Sequence, residues 1–178
     1  VLGLVTATSI VLVQQTANKQ EDNSPPSTTS IEPPKNESKP WPEDAVLISG
    51  SYYRFYPEHL SWEQARSRCK DLGGQLAVVT SPTINDKLTQ MVLDAGWKEI
   101  WLGGTDKQRE GHWVWEDGTA LDDGFTKWFK NQPNNKQGEE HYLVLWAVRE
   151  GQWVDQPNVA HPLHKPGFVC QWKPESGR

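Results

Sequence analysis

From Ala45 onward, short runs of apolar and aromatic residues alternate with polar clusters, and two stretches change to a helical interval. Tyr52, Tyr53, Phe55 and Tyr56 open this region as an aromatic-rich strand. Ser61 and Gln64 have capping-box spacing. Trp62, Ala65, Cys69 and Leu72 then recur at helical intervals until Gly73 and Gly74 stop the helix. Residues 75–80 (QLAVVT) read as a short strand. Ser81 and Pro82 begin a second helix, with Ile84, Leu88, Met91, Val92 and Ala95 on one face and Gly96 at its end. Beyond Ile100, the segments WLGG, HWVWEDG, HYLVLWAV, GQWVD and GFVCQ are separated by Gly, Asp, Asn and Pro, and each reads as a strand. The order strand, helix, strand, helix, then strands and long loops predicts an α+β domain without a βαβ repeat.

The pattern before residue 45 is different. Residues 1–13 (VLGLVTATSIVLV) carry no charge. A bilayer span takes about 20 residues, so the run is too short to cross alone. A signal-peptide core fits its length, but no basic segment precedes it. The preferred reading is the outer end of a membrane-spanning helix; the alternative is a buried strand of a larger domain. Residues 14–44 hold six of the 13 prolines, and their only large apolar side chains are Ile31 and Trp41. Such a stretch cannot bury enough surface to offset the entropy of ordering it. It is expected to be a disordered, extended spacer with a glycosylation sequon at Asn36. The expected organisation is therefore an apolar end (1–13), a linker (14–44) and a folded domain (45–178).

Composition narrows the function. The 178 residues carry 18 basic and 23 acidic side chains, a net charge of -5, which gives no electrostatic footprint for nucleic acid. Two cysteines, with no CxxC and no His-rich zinc spacing, exclude a dense disulfide scaffold and a structural zinc site. Tryptophan occurs ten times. Trp101, Trp113, Trp115, Trp128 and Trp153 lie inside apolar runs, so they are read as core residues in preference to sugar-stacking platforms.

One family shares these elements in this order. Cys69 on a helix precedes LGGQLAVVTS, and Trp101-Leu102-Gly103-Gly104 follows the second helix. Thr105-Asp106, Glu110-Gly111, Trp113-Val114-Trp115 and Asp117-Gly118 come next. Trp128 precedes Gln132-Pro133-Asn134, and Glu140 precedes Tyr142-Leu143-Val144-Leu145. Trp153-Val154-Asp155 and Phe168-Val169-Cys170-Gln171 close the series. From about Gly50 to Lys173 the chain resembles the C-type lectin-like domain. The resemblance implies a disulfide between Cys69 and Cys170. The family's second disulfide is missing: Tyr142 occupies one of its positions, and no Cys occurs in residues 157–166.

The resemblance also implies a calcium site in the long loop. Its ligands would be Gln132, Asn134, Glu140 and Asp155, around a cis proline at 133. Calcium takes six to eight oxygen ligands. Val154 stands where the family has Asn, which removes one oxygen and implies weakened calcium binding. Restoring Asn at 154 is expected to strengthen it. An auxiliary ion site would use Asp106, Glu110 and Asn135. Gln-Pro-Asn mixes the family's mannose-type and galactose-type triplets, so it assigns no sugar.

Other chemistry finds little support. His161 and His164 form an HxxH in a proline-flanked segment without a carboxylate helix motif, and they read as solvated loop residues. Glu116-Asp117 and Asp122-Asp123 flank Gly118-Thr119 and read as turn acids in preference to a glycosidase pair. No GxSxG or P-loop occurs, so this segment is expected to bind and not to catalyse. A catalytic part upstream is left open. The leading expectation is an extracytoplasmic, membrane-anchored module that takes a glycan through calcium. A calcium-independent protein-binding ectodomain is the alternative.

Overall fold

The computed structural model describes residues 39–159 and 164–174. The apolar end, residues 14–38 of the spacer, and His161 lie outside the described residues.

Ten elements carry the fold. The strands are β1 (Val46–Ile48), β2 (Ser51–Tyr56), β3 (Gln75–Leu76), β4 (Glu99–Thr105), β5 (Val114–Trp115), β6 (Tyr142–Trp146), β7 (Gln152–Gln156) and β8 (Gly167–Trp172), and the helices are α1 (Trp62–Asp71) and α2 (Pro82–Asp94). The main path through the sheet is β1-β2-β8-β4-β6-β7, with β3 on β8 and β5 on β4. Every pairing is antiparallel except β4 with β8. The expected α+β class is what forms.

Both helices start as their sequences dictate. Ser61 caps α1 by accepting from the Gln64 amide, and Gln64 returns a bond to the Ser61 amide. Gly73, at φ 74°, ends the helix in the left-handed region that suits glycine. Ser81 caps α2, and Pro82 occupies its first turn.

The central strands are buried on both faces, and their side chains alternate between two core clusters. Ile100 and Leu102 of β4 and Leu143 and Leu145 of β6 join Ile84, Leu88 and Val92 of α2. Trp101, Tyr142 and Val144 instead join Trp62, Ala65 and Cys69 of α1. The sheet thus lies between the helices, and its central strands read as continuous apolar runs for that reason. Gly103 admits the closest approach. A Cβ there would meet the Leu76 carbonyl oxygen at 2.9 Å, while the Gly103 amide donates to Ala77 O at 2.8 Å.

The core tryptophans behave as expected. Trp101, Trp113, Trp115 and Trp153 are buried, and Trp128 is partly buried, with its ring centroid 5.0 Å from Trp113. Burying each large aromatic removes about 150–250 Å² from water. Buried polar side chains share this core, and one of them joins two elements. Asn85 of α2 is fully buried; its Oδ1 accepts from Trp153 Nε1 at 2.8 Å, and its Nδ2 donates to Gly151 O at 3.2 Å. The amide therefore pins α2 to the start of β7. Cys69 and Cys170 form a disulfide, Cα to Cα 5.4 Å, between α1 and β8.

Several boundaries differ from the sequence reading. The QLAVVT strand shrinks to β3, because Ala77 N donates to Val169 O and Val78 N to the Gln171 side chain, outside any regular ladder. HWVWEDG forms only the two residues of β5. Ala95 is exposed beyond the end of α2. The edge strand β1 was not foreseen; Val46 and Leu47 are exposed and show no clear alternation. The folded part also starts before Ala45, since the Trp41 ring stacks on Tyr52 at 4.1 Å and Asp44 pairs with Arg54 at 2.8 Å.

Candidate functional site

The 131–141 loop leaves the sheet before β6 and is held from below by β7. Asp155 of β7 is fully buried. Its carboxylate accepts from the Asn134 amide at 3.0 and 3.1 Å and from the Asn135 amide at 2.6 Å. Glu140 accepts from the Lys136 amide at 3.1 Å and donates its own amide to Asn135 Oδ1 at 3.1 Å. Burial pushes the Glu140 carboxyl above the usual carboxylate range. The Lys136 amide pulls it down, and the nearby Asp155 charge adds to the rise. The peptide bond between Gln132 and Pro133 is cis. Asn131, Asn135 and Gln137 all adopt positive φ, so left-handed residues concentrate in this loop. Asn tolerates that region better than most residues.

Gln132 Oε1 is buried and accepts no hydrogen bond among the described residues. An orphaned buried acceptor costs roughly 1–3 kcal/mol, and a cation would satisfy it. Of the four expected ligands, Asn134, Glu140 and Asp155 share one hydrogen-bonded loop, and Gln132 precedes the cis proline that leads into it. The donor set fits calcium in kind, with two carboxylates and two amide oxygens. It falls short of calcium's usual six to eight ligands. Val154, at the family's Asn position, is fully buried in the α1-side cluster.

A second cluster lies where β4 ends beside the start of β6. Asp106 follows β4 and is almost fully buried; its Oδ2 accepts from Gly111 N at 2.9 Å. Thr105 Oγ1 donates to His141 O at 2.7 Å, which fixes His141 beside it. His141 Nδ1 lies 3.0 Å from Asp106 Oδ1 and 3.5 Å from Glu110 Oε2. Asn135 presents its amide nitrogen, not its oxygen, to Glu110. Sequence reasoning found Asp106, Glu110 and Asn135 but missed His141. The available signal was its position between Glu140 and the β6 residue Tyr142.

The acids read as turn formers divide. Asp117 does cap a turn, accepting from Thr119 N at 3.2 Å and from Thr119 Oγ1 at 2.6 Å. Glu116 instead reaches inward, where it pairs with Arg66 at 2.9 Å and accepts from the Leu76 amide at 2.9 Å. His164 is likewise no simple solvated residue: it bonds Glu99 at 2.8 Å and stacks on Trp146.

Fold and loop together describe a C-type lectin domain, and comparison agrees. The Lectin C-type domain model matches residues 58–171, so the chain belongs to that family. A lectin of Pleurodeles waltl is 32% identical over 126 residues, 68% of this chain and 70% of that one. Hepatic lectin of Gallus gallus is 29% identical over 124 residues, which span 70% of this chain and 56% of that one. Among solved structures, the cow CD23 carbohydrate-recognition domain, determined in the presence of a GlcNAc2Man3 oligosaccharide, superposes with a TM-score of 0.64. It is 28% identical over 75% of this chain and 95% of that one. Domains of this family are non-catalytic modules that bind carbohydrate or protein, and they are typically extracellular or secreted.

Proposed function

We propose that the domain binds glycans through one weakly held calcium ion in the 131–141 loop. Gln132, Asn134, Glu140 and Asp155 would hold it, and vicinal sugar hydroxyls would complete its coordination. The observation that carries this reading is the buried Oε1 of Gln132, which has no partner among the described residues. The CD23 domain determined with oligosaccharide supports the ligand class. In this reading, residues 1–13 anchor the protein in a membrane, and the linker that follows them, up to the Trp41 contact, holds the domain away from it on the extracytoplasmic side. Among the described residues no helix is long and apolar enough to cross a membrane.

A calcium-independent, protein-binding mode is favoured by a different observation. Asp155 and Glu140 already accept backbone N–H groups, so the loop closes on its own hydrogen bonds. Gln132→Glu separates the two readings. If the Gln132 oxygen serves a cation, the added charge tightens calcium binding by about tenfold or more in calorimetry, because ligand charge tunes affinity. In the protein-binding mode the same change places an unpaired charge in a buried position, and thermal stability falls with or without calcium. A glycan array run with calcium and with EDTA then tests the ligand class.

A further inference from the structure

The cluster at the ends of β4 and β6 does not fit the calcium that the family resemblance implies there. Calcium takes oxygen ligands, and this cluster contains an imidazole. The one amide expected to add an oxygen, Asn135, turns its nitrogen to Glu110 and uses its oxygen for the Glu140 amide. Two carboxylates and a histidine nitrogen remain. Asp106, Glu110 and His141 each offer a ligand atom, and these atoms all lie within 4.8 Å of one another.

We propose that Asp106, Glu110 and His141 form a binding site for a divalent transition metal of the zinc class. Imidazole nitrogen suits such metals, while calcium and magnesium favour carboxylate and carbonyl oxygen. Zinc bonds to His nitrogen and carboxylate oxygen are about 2.0–2.2 Å, which sets neighbouring ligand atoms of a tetrahedral site roughly 3.3 Å apart. His141 Nδ1 stands 3.0 Å from the Asp106 oxygen and 3.5 Å from the Glu110 oxygen, on either side of that spacing. The Asp106 and Glu110 oxygens lie within 4.8 Å of each other, and the exposed Glu110 side chain is the ligand free to adjust as the ion enters.

The surrounding bonds prepare the ligands. The Gly111 amide holds the second Asp106 oxygen, which leaves Oδ1 turned to the histidine. The Asp106 amide donates to His141 O at 3.3 Å, so the two ligands are joined through backbone as well. Such outer contacts fix ligand orientation in metal sites. Glu110 has a side chain 57% exposed, which leaves the site open to entering ions. Without metal, the imidazole Nδ1 of His141 lies beside both carboxylates.

The argument for this site does not rest on the glycan reading, because its ligands Asp106, Glu110 and His141 are different residues from Gln132, Asn134, Glu140 and Asp155. The test is calorimetry of the purified chain with zinc chloride alone, and again in millimolar calcium. One equivalent of zinc should bind, and calcium should not displace it. His141→Ala should weaken zinc uptake by about tenfold or more. Glu110→Gln, at an exposed position that threatens folding less, should weaken it as well. His141→Asp should lower zinc affinity and raise calcium affinity by exchanging nitrogen for oxygen. Absence of zinc uptake, uptake unchanged in His141→Ala, or displacement of zinc by calcium would each overturn the proposal. None of these results decides whether Gln132 serves a cation, which the Gln132→Glu variant reads separately.

Discussion

The Tyr142 hydroxyl donates to Glu63 at 3.2 Å and so ties the start of β6 to the first turn of α1. Glu63 also takes Lys107 Nζ at 2.6 Å and Asn158 Nδ2 at 3.2 Å. Asn158 in turn accepts the Trp62 and Glu63 amides, through its carbonyl and its side chain. A polar tether thus acts where the family's second disulfide is missing. Asn158→Ala should leave the global melting temperature nearly unchanged, while amide exchange of residues 156–159 accelerates. Equal protection in both proteins would refute the tether.

Full burial makes Asn85 a sensitive polar position of the core. Asn85→Leu leaves Trp153 Nε1 buried without its 2.8 Å partner. An unsatisfied buried donor costs about 1–3 kcal/mol. Chemical denaturation should report a loss in that range with an unchanged m-value.

The disulfide closes a loop with a sequence separation of 101, worth about 4–5 kcal/mol in the chain-entropy model. For a domain of this size, reduction should lower the melting temperature by roughly 15 °C. Calorimetric scans with and without reductant measure it, and a drop of only a degree or two would contradict the account.

Asp117 links the 115–119 turn to the C-terminal strand. Burial pushes its carboxyl up, but hydrogen bonds from Thr119 and Lys173 and the Lys173 charge outweigh this and hold it below its usual value. A depressed folded pKa contributes stability above the unfolded value and loses it as pH falls through the folded value. Asp117→Asn should therefore be less stable than the parent at pH 7, by on the order of 1 kcal/mol. The difference should shrink as pH falls through the depressed folded value of Asp117. Thermal melts across that interval give the comparison.

Val154→Asn carries two opposed effects. Position 154 is fully buried in the α1-side cluster, so an amide there lowers the melting temperature in EDTA. If the loop holds calcium, the extra oxygen enlarges the calcium-induced rise beyond that of the parent. Paired melts in EDTA and millimolar calcium read both effects.

Local chemistry made much of the fold legible. The capping box at Ser61, Pro82 after Ser81 and the apolar intervals of α1 and α2 all act within a few residues, and sequence displays such signals directly. Other features depend on partners far along the chain. Residues 77–79 look like strand but bond outside a ladder, and Trp41 looks like linker until Tyr52 lies beneath it. The candidate site divides in the same way. Gln132, Asn134 and Glu140 stand close together in sequence, whereas His141 becomes chemically interesting only because β4 delivers Asp106, 35 residues earlier, to its side. Asp155 was expected as an ion ligand; its hold on the Asn134 and Asn135 amides shows only in three dimensions.

Asn135 gives its backbone amide to Asp155, its side-chain nitrogen to Glu110 and its side-chain oxygen to the Glu140 amide. One residue therefore belongs to both carboxylate clusters. Any event that draws Asn135 toward one cluster alters the other, and thermodynamic reciprocity makes the effect equal in both directions. The loop is built as a balance with Asn135 at its pivot, so that whatever occupies one side sets the readiness of the other.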